Sequence, residues 1–468
     1  MAVRPASEAS FEFSVPVVVI GAGACGLTAA LSLREQGLEV LVLERDSRPT
    51  GSTSLSAGLI PAAGTRFQRE KGIEDSPELF AADLAAKAHG ENDPVVVRAV
   101  AEASGPTIDW LADNQCLDLH LVEGFTYPGH SRLRMHGPKT QTGADLESML
   151  LAAADRAGID ILTGASVEDL YADEGGRVVA IGARRPDGTT DVVGCEAVIL
   201  ACCGYGGNAD LVRRQIPEME AAAFCGHTSN TGDALAWGEA LGAGLADLGS
   251  YQGHGSFCLP QGLQVTWAVM MLGGVQVNLD GRRFADETRG YSEQAEDVLR
   301  QPEGVAWDIY DARCEVPALA FHDYQEVKRL GGIREADTVE QLAKVTGLPA
   351  DALAQTFAEV ASYAAGHGRD PLGRDFTATP PLAPPYRAAR VTGALLHTQG
   401  GLTIDGEARV LRRDGTLLPN LFAGGGAARG FSGPSGWGYL SGNGLLSAVV
   451  LGRIAGLSAA RLVTAATR

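Results

Sequence analysis

The chain has 468 residues, with 38 Lys and Arg against 57 Asp and Glu, and therefore carries a formal net charge of −19. This length predicts about two to four domains of roughly 100–200 residues each. A hydrophobic share of 45% with only 20% charged residues argues against disorder. Because the excess charge is negative and no Lys/Arg-rich run is present, we expect no nucleic-acid partner.

The cysteines and the apolar runs indicate the cellular compartment and argue against metal sites and membrane spans. Residues 1–16 lack the apolar core and cleavage site of a signal peptide. No apolar run reaches the roughly 18–20 residues of a membrane span. The eight cysteines form no CxxC pair, so the usual zinc, iron–sulfur and c-type haem signatures are missing. We expect reduced thiols in a cytoplasmic protein, without a metal site or a membrane span.

A dinucleotide-binding unit is predicted at the N-terminus. The β-branched run 17–20 predicts a strand buried on both faces, and a GxGxxG motif leads from it into an Ala/Leu-rich helix. A second strand, 39–43, ends at an acidic residue that can bind ribose hydroxyls. Such glycines permit a tight turn and close approach of a pyrophosphate to the helix N-terminus. The candidate cofactor-binding residues are Gly21, Gly23, Ala24, Cys25, Gly26, Glu44 and Arg45.

The segment after this unit favours FAD over NAD. A nicotinamide domain usually continues into another βα unit, whereas residues 45–58 are small and rich in hydroxyls. Such a loop suits an extended ribityl chain and an isoalloxazine ring. The stretch 50–58 contains no histidine to carry a covalent linkage, so we expect non-covalent FAD. The residues that we expect to contact it here are Ser52, Thr53, Ser56, Ala57 and Gly58.

The remaining chain predicts an interrupted cofactor domain. Residues 77–114 are predicted to be helical, 123–142 a long loop, and 161–200 a small β-meander, followed by a buried strand that ends at Gly204. Composition shifts between 248 and 385, which predicts an inserted second domain. Glycine-rich, buried-strand character then returns, and an apolar helix is predicted over 445–456. Its N-terminus could face the electron-rich N1–C2=O end of a flavin.

These blocks together resemble the flavoprotein superfamily of fumarate reductases, succinate dehydrogenases and 3-ketosteroid dehydrogenases. The resemblance rests on VVVIGAGACGLTAAL, TGDALAWGEALGA, GRRFADE, HTQGGLTID and NLFAGGG…GYLSGNGLLSAVVLGRIAG. It implies an α/β fold: a Rossmann-like, GR2-type FAD-binding domain (1–248 and 386–468) with an inserted α+β capping domain (249–385). The cofactor-binding residues that it adds are Val167, Gly204, Asp233, Gly424, Gly425, Asn443 and Leu445.

The resemblance to fumarate reductases fails at the groups that handle the proton and the dicarboxylate. Their two substrate histidines correspond to His254 and His397. However, their relay glutamate falls on Trp267, and a relay arginine falls on Met270. Their proton-donating and carboxylate-clamping arginines are replaced by the two residues Tyr291 and Tyr439. The resemblance therefore argues against fumarate reduction.

The same two substitutions match 3-ketosteroid dehydrogenases, which have tyrosines at both positions. That resemblance implies that Tyr291 abstracts the proton α to a ketone, while Tyr439 and the backbone N–H of Asn443 hold the carbonyl oxygen. A phenol has an unperturbed pKa of about 10, so Tyr291 needs help to act as a base near pH 7. Arg289 could supply that help, or it could be an exposed ion-pair former. The leading hypothesis is an enzyme that desaturates the bond α,β to a ketone.

Two rival functions stay open. The stretch 284–312 and the loop 123–137 also resemble tricarballylate-dehydrogenase-type flavoproteins, which act on carboxylates. In that case Arg132, Arg134 and Arg289 would clamp the substrate, with His130 and His136 nearby on the same loop. The second rival is a non-enzymatic flavin or electron carrier. Either enzyme would act on a small molecule, with a soluble carrier, a quinone or O₂ as electron acceptor, and the sequence leaves the direction of the reaction open.

Overall fold

The computed structural model describes residues 1–466. Its strands are β1 (Ala2–Pro5), β2 (Phe13–Ile20), β3 (Val40–Leu43), β4 (Ile60–Pro61), β5 (His120–Leu121), β6 (Met135–Gly137), β7 (Asp160–Leu162), β8 (Ser166–Ala172), β9 (Val178–Arg184), β10 (Thr190–Leu200), β11 (Ala223–Phe224), β12 (Leu245–Ala246), β13 (Tyr251–Cys258), β14 (Leu263–Gln264), β15 (Val275–Val277), β16 (Val305–Asp311), β17 (Ile333–Ala336), β18 (Tyr386–Thr398), β19 (Gly401–Leu402), β20 (Arg409–Leu411) and β21 (Leu417–Ala423).

Its helices are α1 (Ala24–Glu35), α2 (Arg66–Glu70), α3 (Pro77–Lys87), α4 (Pro94–Asp113), α5 (Gly143–Arg156), α6 (Ala209–Gln215), α7 (Asp233–Ala240), α8 (Ala268–Met271), α9 (Tyr291–Leu299), α10 (Ala312–Ala318), α11 (His322–Arg329), α12 (Val339–Thr346), α13 (Ala350–Ala364) and α14 (Asn443–Ala466).

The first sheet is built around β2, whose residues 17–19 have no exposed surface. Its strand order is β1-β8-β9-β10-β2-β3-β7, with β21 beside β10 and β20 beside β21. β10 runs parallel to β2 and β21 and antiparallel to β9, so the predicted meander joins the parallel strands through one long strand. The apolar faces of α1, α5 and α14 cover one side of this sheet. The predicted α/β cofactor fold is confirmed.

Two predicted helices differ in extent from those observed. The segment 77–114 forms α3 and α4 rather than one helix, because Asp93 caps a new helix at Pro94 and accepts hydrogen bonds from the N–H groups of Val95 and Val96. The C-terminal helix begins at Asn443, two residues before the expected start, and reaches Ala466. The expected end at residue 456 is wrong, since apolar residues continue to pack against α1 beyond it.

The second sheet forms the cap. Its order is β14-β13-β18-β16-β15, and β11 and β17 also pair with β18. The cofactor portion was expected to resume at residue 386, yet 386–398 is the strand that pairs with four others of the cap sheet. Its small apolar sequence resembles the buried strands of the first sheet, and this likeness is the reason that the predicted boundary lies at 386. From here on, the cap means residues 249–398, and the cofactor portion means 1–248 together with 399–466.

One described helix, α14, is long and apolar enough to cross a membrane, and 67% of its most apolar window is buried inside the protein. It packs along α1 and beneath the first sheet, as a core helix of a globular fold does. Its N-terminal residues line the cavity described below.

Candidate active site

A cavity of about 880 Å³ lies between the carboxyl end of the first sheet and the cap. The cofactor portion lines one end of it, with the N-terminus of α1 and the loop 52–57. The cap lines the other end, with side chains from β13, α9 and the start of α11. The volume lies near the upper limit of ligand pockets, which is about 1,000 Å³.

Ten of the predicted cofactor residues line this cavity. At its cofactor end, the Thr53 Oγ1 atom accepts a hydrogen bond of 2.9 Å from the N–H of Ala24, in the first turn of α1. The nearest heavy atom to a Cβ built on Gly23 is Thr53 Oγ1 at 3.2 Å, so glycine leaves this side of the cavity open. The ten lining residues are Gly23, Ala24, Cys25, Ser52, Thr53, Ser56, Ala57, Gly204, Gly425 and Leu445.

The other predicted cofactor residues support the cavity without lining it. Gly21 adopts φ +108°, and a Cβ there would lie 2.5 Å from the carbonyl oxygen of Ala201. The Glu44 carboxylate accepts 3.0 Å hydrogen bonds from the N–H groups of Ala22 and Asp46. This holds the acid beside the glycine turn. Arg45 and Asp233 form an ion pair. The remaining members of this set are Gly26, Gly58, Val167, Gly424 and Asn443.

These features fit FAD. The turn allows a close approach of the backbone, and the N-terminus of α1 offers positive dipole charge to a pyrophosphate. The carboxylate of Glu44 is preorganised by two backbone donors beside the turn. Among residues 1–466, no cluster of three or more His, Cys, Asp or Glu side chains suits a metal ion.

Tyr291 is the first residue of α9 and is nearly buried in the cavity wall. Its ring stacks on His254 with 5.0 Å between centroids, and it lies at 6.3 Å from the indole of Trp267. Burial raises the pKa of the Tyr291 phenol well above its usual value of 10, and hydrogen bonding to Ser441 and Tyr439 opposes that rise only in part. Tyr291 is therefore a neutral phenol near pH 7.

Tyr439 approaches from the cofactor portion, just before α14. Its hydroxyl oxygen accepts a hydrogen bond of 3.3 Å from the N–H of Gly444. The N–H of Asn443 was expected to hold the carbonyl, but it donates to the carbonyl oxygen of Leu440 at 3.0 Å. The expectation for Asn443 is therefore wrong, because its N–H forms a hydrogen bond within the turn that leads into α14. The Asn443 side chain is also turned away, with its Nδ2 donating to Ser432 Oγ.

The two predicted histidines both line the cavity. Burial lowers the pKa of His254 to about 3 and that of His397 to about 4, so both are neutral near pH 7. The His254 Nδ1 atom accepts from the N–H of Ser256 at 3.2 Å. His397 lies edge-on to Tyr439 with centroids 5.7 Å apart, and the amide of Gln399 is 3.2 Å from its Nδ1.

The predicted arginines are not at the cavity. Arg289 ion-pairs with Asp297 on the outer side of α9, with 49% of its side chain exposed, so it does not face Tyr291. Arg134 is buried in ion pairs with Asp75 and Asp83. Arg132 is exposed and donates to backbone carbonyls. Within residues 1–466, no lysine or arginine lines the cavity.

The glutamate of the GRRFADE motif has a structural role. Glu287 is fully buried, and its carboxylate binds the guanidinium groups of Arg283 and Arg374 at 2.8–2.9 Å. Burial alone would raise its pKa, but the two cations outweigh this and hold it below the usual range. The Glu287 carbonyl also accepts from the indole N–H of Trp267 at 3.1 Å. This cluster fixes the segment that leads to Tyr291.

Sequence reasoning missed an aromatic wall. Tyr127 lines the cavity from the loop 123–142, and burial raises the pKa of its phenol, with the nearby Tyr291 adding to the rise. Phe257 and Phe321 line the same cavity farther from the cofactor end. The unusual length of the loop 123–142 was the sequence signal for a functional role. The predicted site residues in it were its histidines and arginines, and Tyr127 was not among them.

Comparisons with known proteins agree with this geometry. A family model described as FAD binding domain matches residues 16–445. A protein of Shewanella frigidimarina named probable fumarate reductase Ifc3 is 30% identical, over 98% of this chain and 77% of its own length. The structure of the open conformation of a flavocytochrome c3 fumarate reductase has a TM-score of 0.80 at 30% identity, covering 98% of this chain and 80% of that one.

A second structural neighbour is a 3-ketosteroid-delta4-(5alpha)-dehydrogenase from Rhodococcus jostii RHA1, solved in complex with 4-androstene-3,17-dione. It has a TM-score of 0.79 and 26% identity, covering 98% of this chain and all of that one. The predicted superfamily and the FAD cofactor are confirmed. The chain belongs to the FAD binding domain family and is an FAD-dependent oxidoreductase.

Proposed function

We propose that this protein desaturates the carbon–carbon bond next to the carbonyl of a cyclic ketone, either a 3-ketosteroid or a smaller ring. The observation that carries the proposal is the pair of buried tyrosines, Tyr291 and Tyr439, in a cavity without a lining lysine or arginine in the described chain. Neutral hydrogen-bond donors suit a neutral carbonyl. The apolar wall of Phe257, Leu263 and Phe321 suits a hydrocarbon ring system.

Tyr439 is the group that holds the ketone oxygen. Its own oxygen accepts from the N–H of Gly444. Its O–H donates to Tyr291 in the absence of a ketone and turns to the carbonyl oxygen when a ketone binds. A donor fixed in advance stabilises the negative charge that develops on the oxygen as the α C–H is broken. The Tyr291 and Tyr439 side chains are almost fully buried, which strengthens this interaction.

Tyr291 takes the α proton, and the carbon–carbon double bond forms as the β hydrogen leaves. Gly23, Glu44 and Thr53 would hold FAD, which would supply the acceptor for that hydrogen and its electron pair. The Tyr291 phenol has a raised pKa, so only a small fraction is ionised near pH 7. With Tyr439 donating to the ketone, the hydrogen bond from Ser441 favours the ionised form and partly offsets the burial. In the reverse direction, the neutral phenol is already a proton donor.

The cavity argues against a dicarboxylate, although several relatives are named fumarate reductases. A dicarboxylate would bring two negative charges into a buried space whose charged lining residues are Asp145 and Asp323. An unpaired buried carboxylate is costly, and enzymes usually offset that cost with arginine forks. The arginines that could have formed such a clamp, Arg132, Arg134 and Arg289, bind protein groups elsewhere.

The test runs the reaction in reverse. The holoenzyme is photoreduced anaerobically and mixed with either a cyclic α,β-unsaturated ketone or fumarate, while the flavin absorbance is followed. The proposal expects reoxidation by the enone and none above the buffer rate by fumarate. Reoxidation by fumarate alone would overturn it.

A further inference from the structure

We infer that Lys87 is a latch that holds the cap closed over the FAD site and positions Tyr291. The positioning part rests on the proposed role of Tyr291, whereas the closure part does not. Lys87 is the last residue of α3 in the cofactor portion, and its side chain reaches across to α9 of the cap.

The contacts of Lys87 lie on both sides of Tyr291. Its Nζ ion-pairs with the Glu293 carboxylate, two residues after the tyrosine. The same Nζ donates a 2.9 Å hydrogen bond to the carbonyl oxygen of Arg289, two residues before it. One ammonium group thus holds the backbone entering the helix and a side chain of its first turn. Both side chains of the pair are mostly buried, with 11% and 13% exposed.

The chain leaves room for this arrangement. Gly290 adopts φ +145°, and a Cβ there would lie 2.6 Å from Glu293 Oε2 and 3.2 Å from Lys87 Nζ. The aliphatic stem of Lys87 passes the loop that carries Tyr127, since a Cβ on Gly129 would lie 3.6 Å from the Lys87 Cδ atom. A side chain at Gly290 would crowd the ion pair, whereas one at Gly129 would make an ordinary contact with the stem of Lys87.

Lys87–Glu293 is the one ion pair in residues 1–466 that joins the cofactor portion to the cap; the others lie within one portion or the other. The cap otherwise meets the cofactor portion through hydrogen bonds, aromatic contacts, the pairing of β11 with β18, and an apolar cluster that both portions share. The pair exists only when the cap is seated, where its Coulomb attraction and the hydrogen bond to the Arg289 carbonyl offset the water that both charged groups lose. Removing only the lysine leaves a buried carboxylate unpaired, which penalises closure more than the loss of the pair itself.

The experiment measures access to bound FAD. The holoenzymes of wild type, K87M, K87R and the control R413Q are titrated with iodide, and quenching of the flavin fluorescence is recorded. Arg413 is exposed and pairs with Glu239, and both residues belong to the cofactor portion. We expect K87M to lower the closed-to-open ratio by about tenfold, equivalent to about 1.4 kcal/mol. Its quenching constant should rise accordingly, while K87R and R413Q stay near wild type.

The positioning part is tested by turnover of the same variants with an enone or ketone that reacts. We expect K87M to lower kcat more than it changes KM, and K87R to recover most of the loss. If K87M fails to retain FAD, E293Q, which keeps an acceptor for the lysine, provides a milder variant with the same expected direction.

Equal iodide quenching in K87M, E293Q and wild type would overturn the latch. Equal losses in K87R and K87M would overturn the assignment to the ammonium contacts. The quenching result does not depend on the substrate. If no ketone or enone reacts while quenching still rises in K87M, the proposed function fails and the closure role stands.

Discussion

Tyr291 and Tyr439 come from different portions of the fold and lie with their ring centroids 6.1 Å apart and their planes inclined by 59°. One is the first residue of a cap helix, and the other precedes the C-terminal helix of the cofactor portion. Their phenol groups interact: Tyr439 donates to Tyr291 in the absence of a ketone, and a bound ketone takes over that donor. The proposed chemistry therefore exists only when the cap is seated against the cofactor portion.

Replacing the carbonyl-binding hydroxyl should slow desaturation strongly. In Tyr439→Phe, the carbonyl loses its O–H donor while the ring packing against His397 remains. Removal of one such donor costs about 100-fold or more in kcat in other enzymes. Stopped-flow reduction of the flavin by a reactive ketone measures this. Tyr363→Phe, a half-buried tyrosine in the cap, is the matched control and should leave the rate unchanged. A wild-type rate in Tyr439→Phe would remove its proposed role.

The desaturation rate should increase with pH. Because burial raises the pKa of Tyr291 above 10, the ionised fraction near neutrality grows by about tenfold per pH unit. We expect the rate of flavin reduction at saturating ketone to climb between pH 7 and 9 without a plateau. Tyr291→Phe should abolish both the rate and its dependence on pH. A plateau near pH 7 in the wild type would indicate another base.

Acid should destabilise the fold through buried neutral histidines. Burial lowers their pKa values to about 3 or 4, against about 6.5 in an unfolded chain. Between pH 6.5 and 4 the unfolded state binds more protons, so the free energy of unfolding falls as pH falls, by up to about 1.4 kcal/mol per pH unit for each histidine. The histidines concerned are the buried His130, His136 and His254 and the half-buried His397.

Urea unfolding at pH 6.5 and pH 4.5, with excess FAD present, measures this loss. His130→Gln removes one of these groups and should reduce the difference between the two pH values, although its lost hydrogen bond to the Ser441 carbonyl lowers stability at both. The exposed His367 is the control, and its replacement by Gln should leave the difference intact. Equal stability of the wild type at both pH values would contradict this account.

Filling the glycine beside the helix N-terminus should weaken FAD binding without unfolding the chain. In Gly23→Leu the new side chain enters the cavity past Thr53, where the backbone conformation is extended and tolerates any residue. We expect the Kd for FAD to rise by about tenfold or more, because overpacking costs about 1–3 kcal/mol. Titration of the apoprotein with FAD measures it. Gly51→Ala, whose Cβ would meet open space, should bind as wild type does.

The cofactor end was predictable because its signals are local. A buried strand, a glycine turn and a helix follow one another within about 20 residues, and the structure shows a backbone reason for glycine at Gly21 and Gly26. The meander was similarly visible from alternation and turn residues. Such patterns arise from residues that are close in sequence, so they do not depend on which distant segment packs against them.

The substrate end was only partly predictable because its members meet across the fold. Spacing suggested the N–H of Asn443 as a donor, but the turn into α14 gives that donor to Leu440 and leaves Gly444 facing Tyr439. The charge of Arg134 suggested an anion clamp, while the acids that neutralise it lie on α3 and the segment before it. No local pattern reveals such partners. Likewise, the sequence of β18 resembles that of a strand in the cofactor portion, and only its pairing with β16 places it in the cap sheet.

The most direct measurement is anaerobic mixing of the oxidised holoenzyme with two panels of compounds, following the bleaching of the flavin absorbance. One panel contains 3-ketosteroids and cyclic ketones, and the other contains succinate, tricarballylate and related carboxylates. The two-tyrosine account predicts bleaching by at least one ketone, and loss of that bleaching in Tyr291→Phe and Tyr439→Phe. Bleaching by carboxylates alone, unaffected by either substitution, would contradict it.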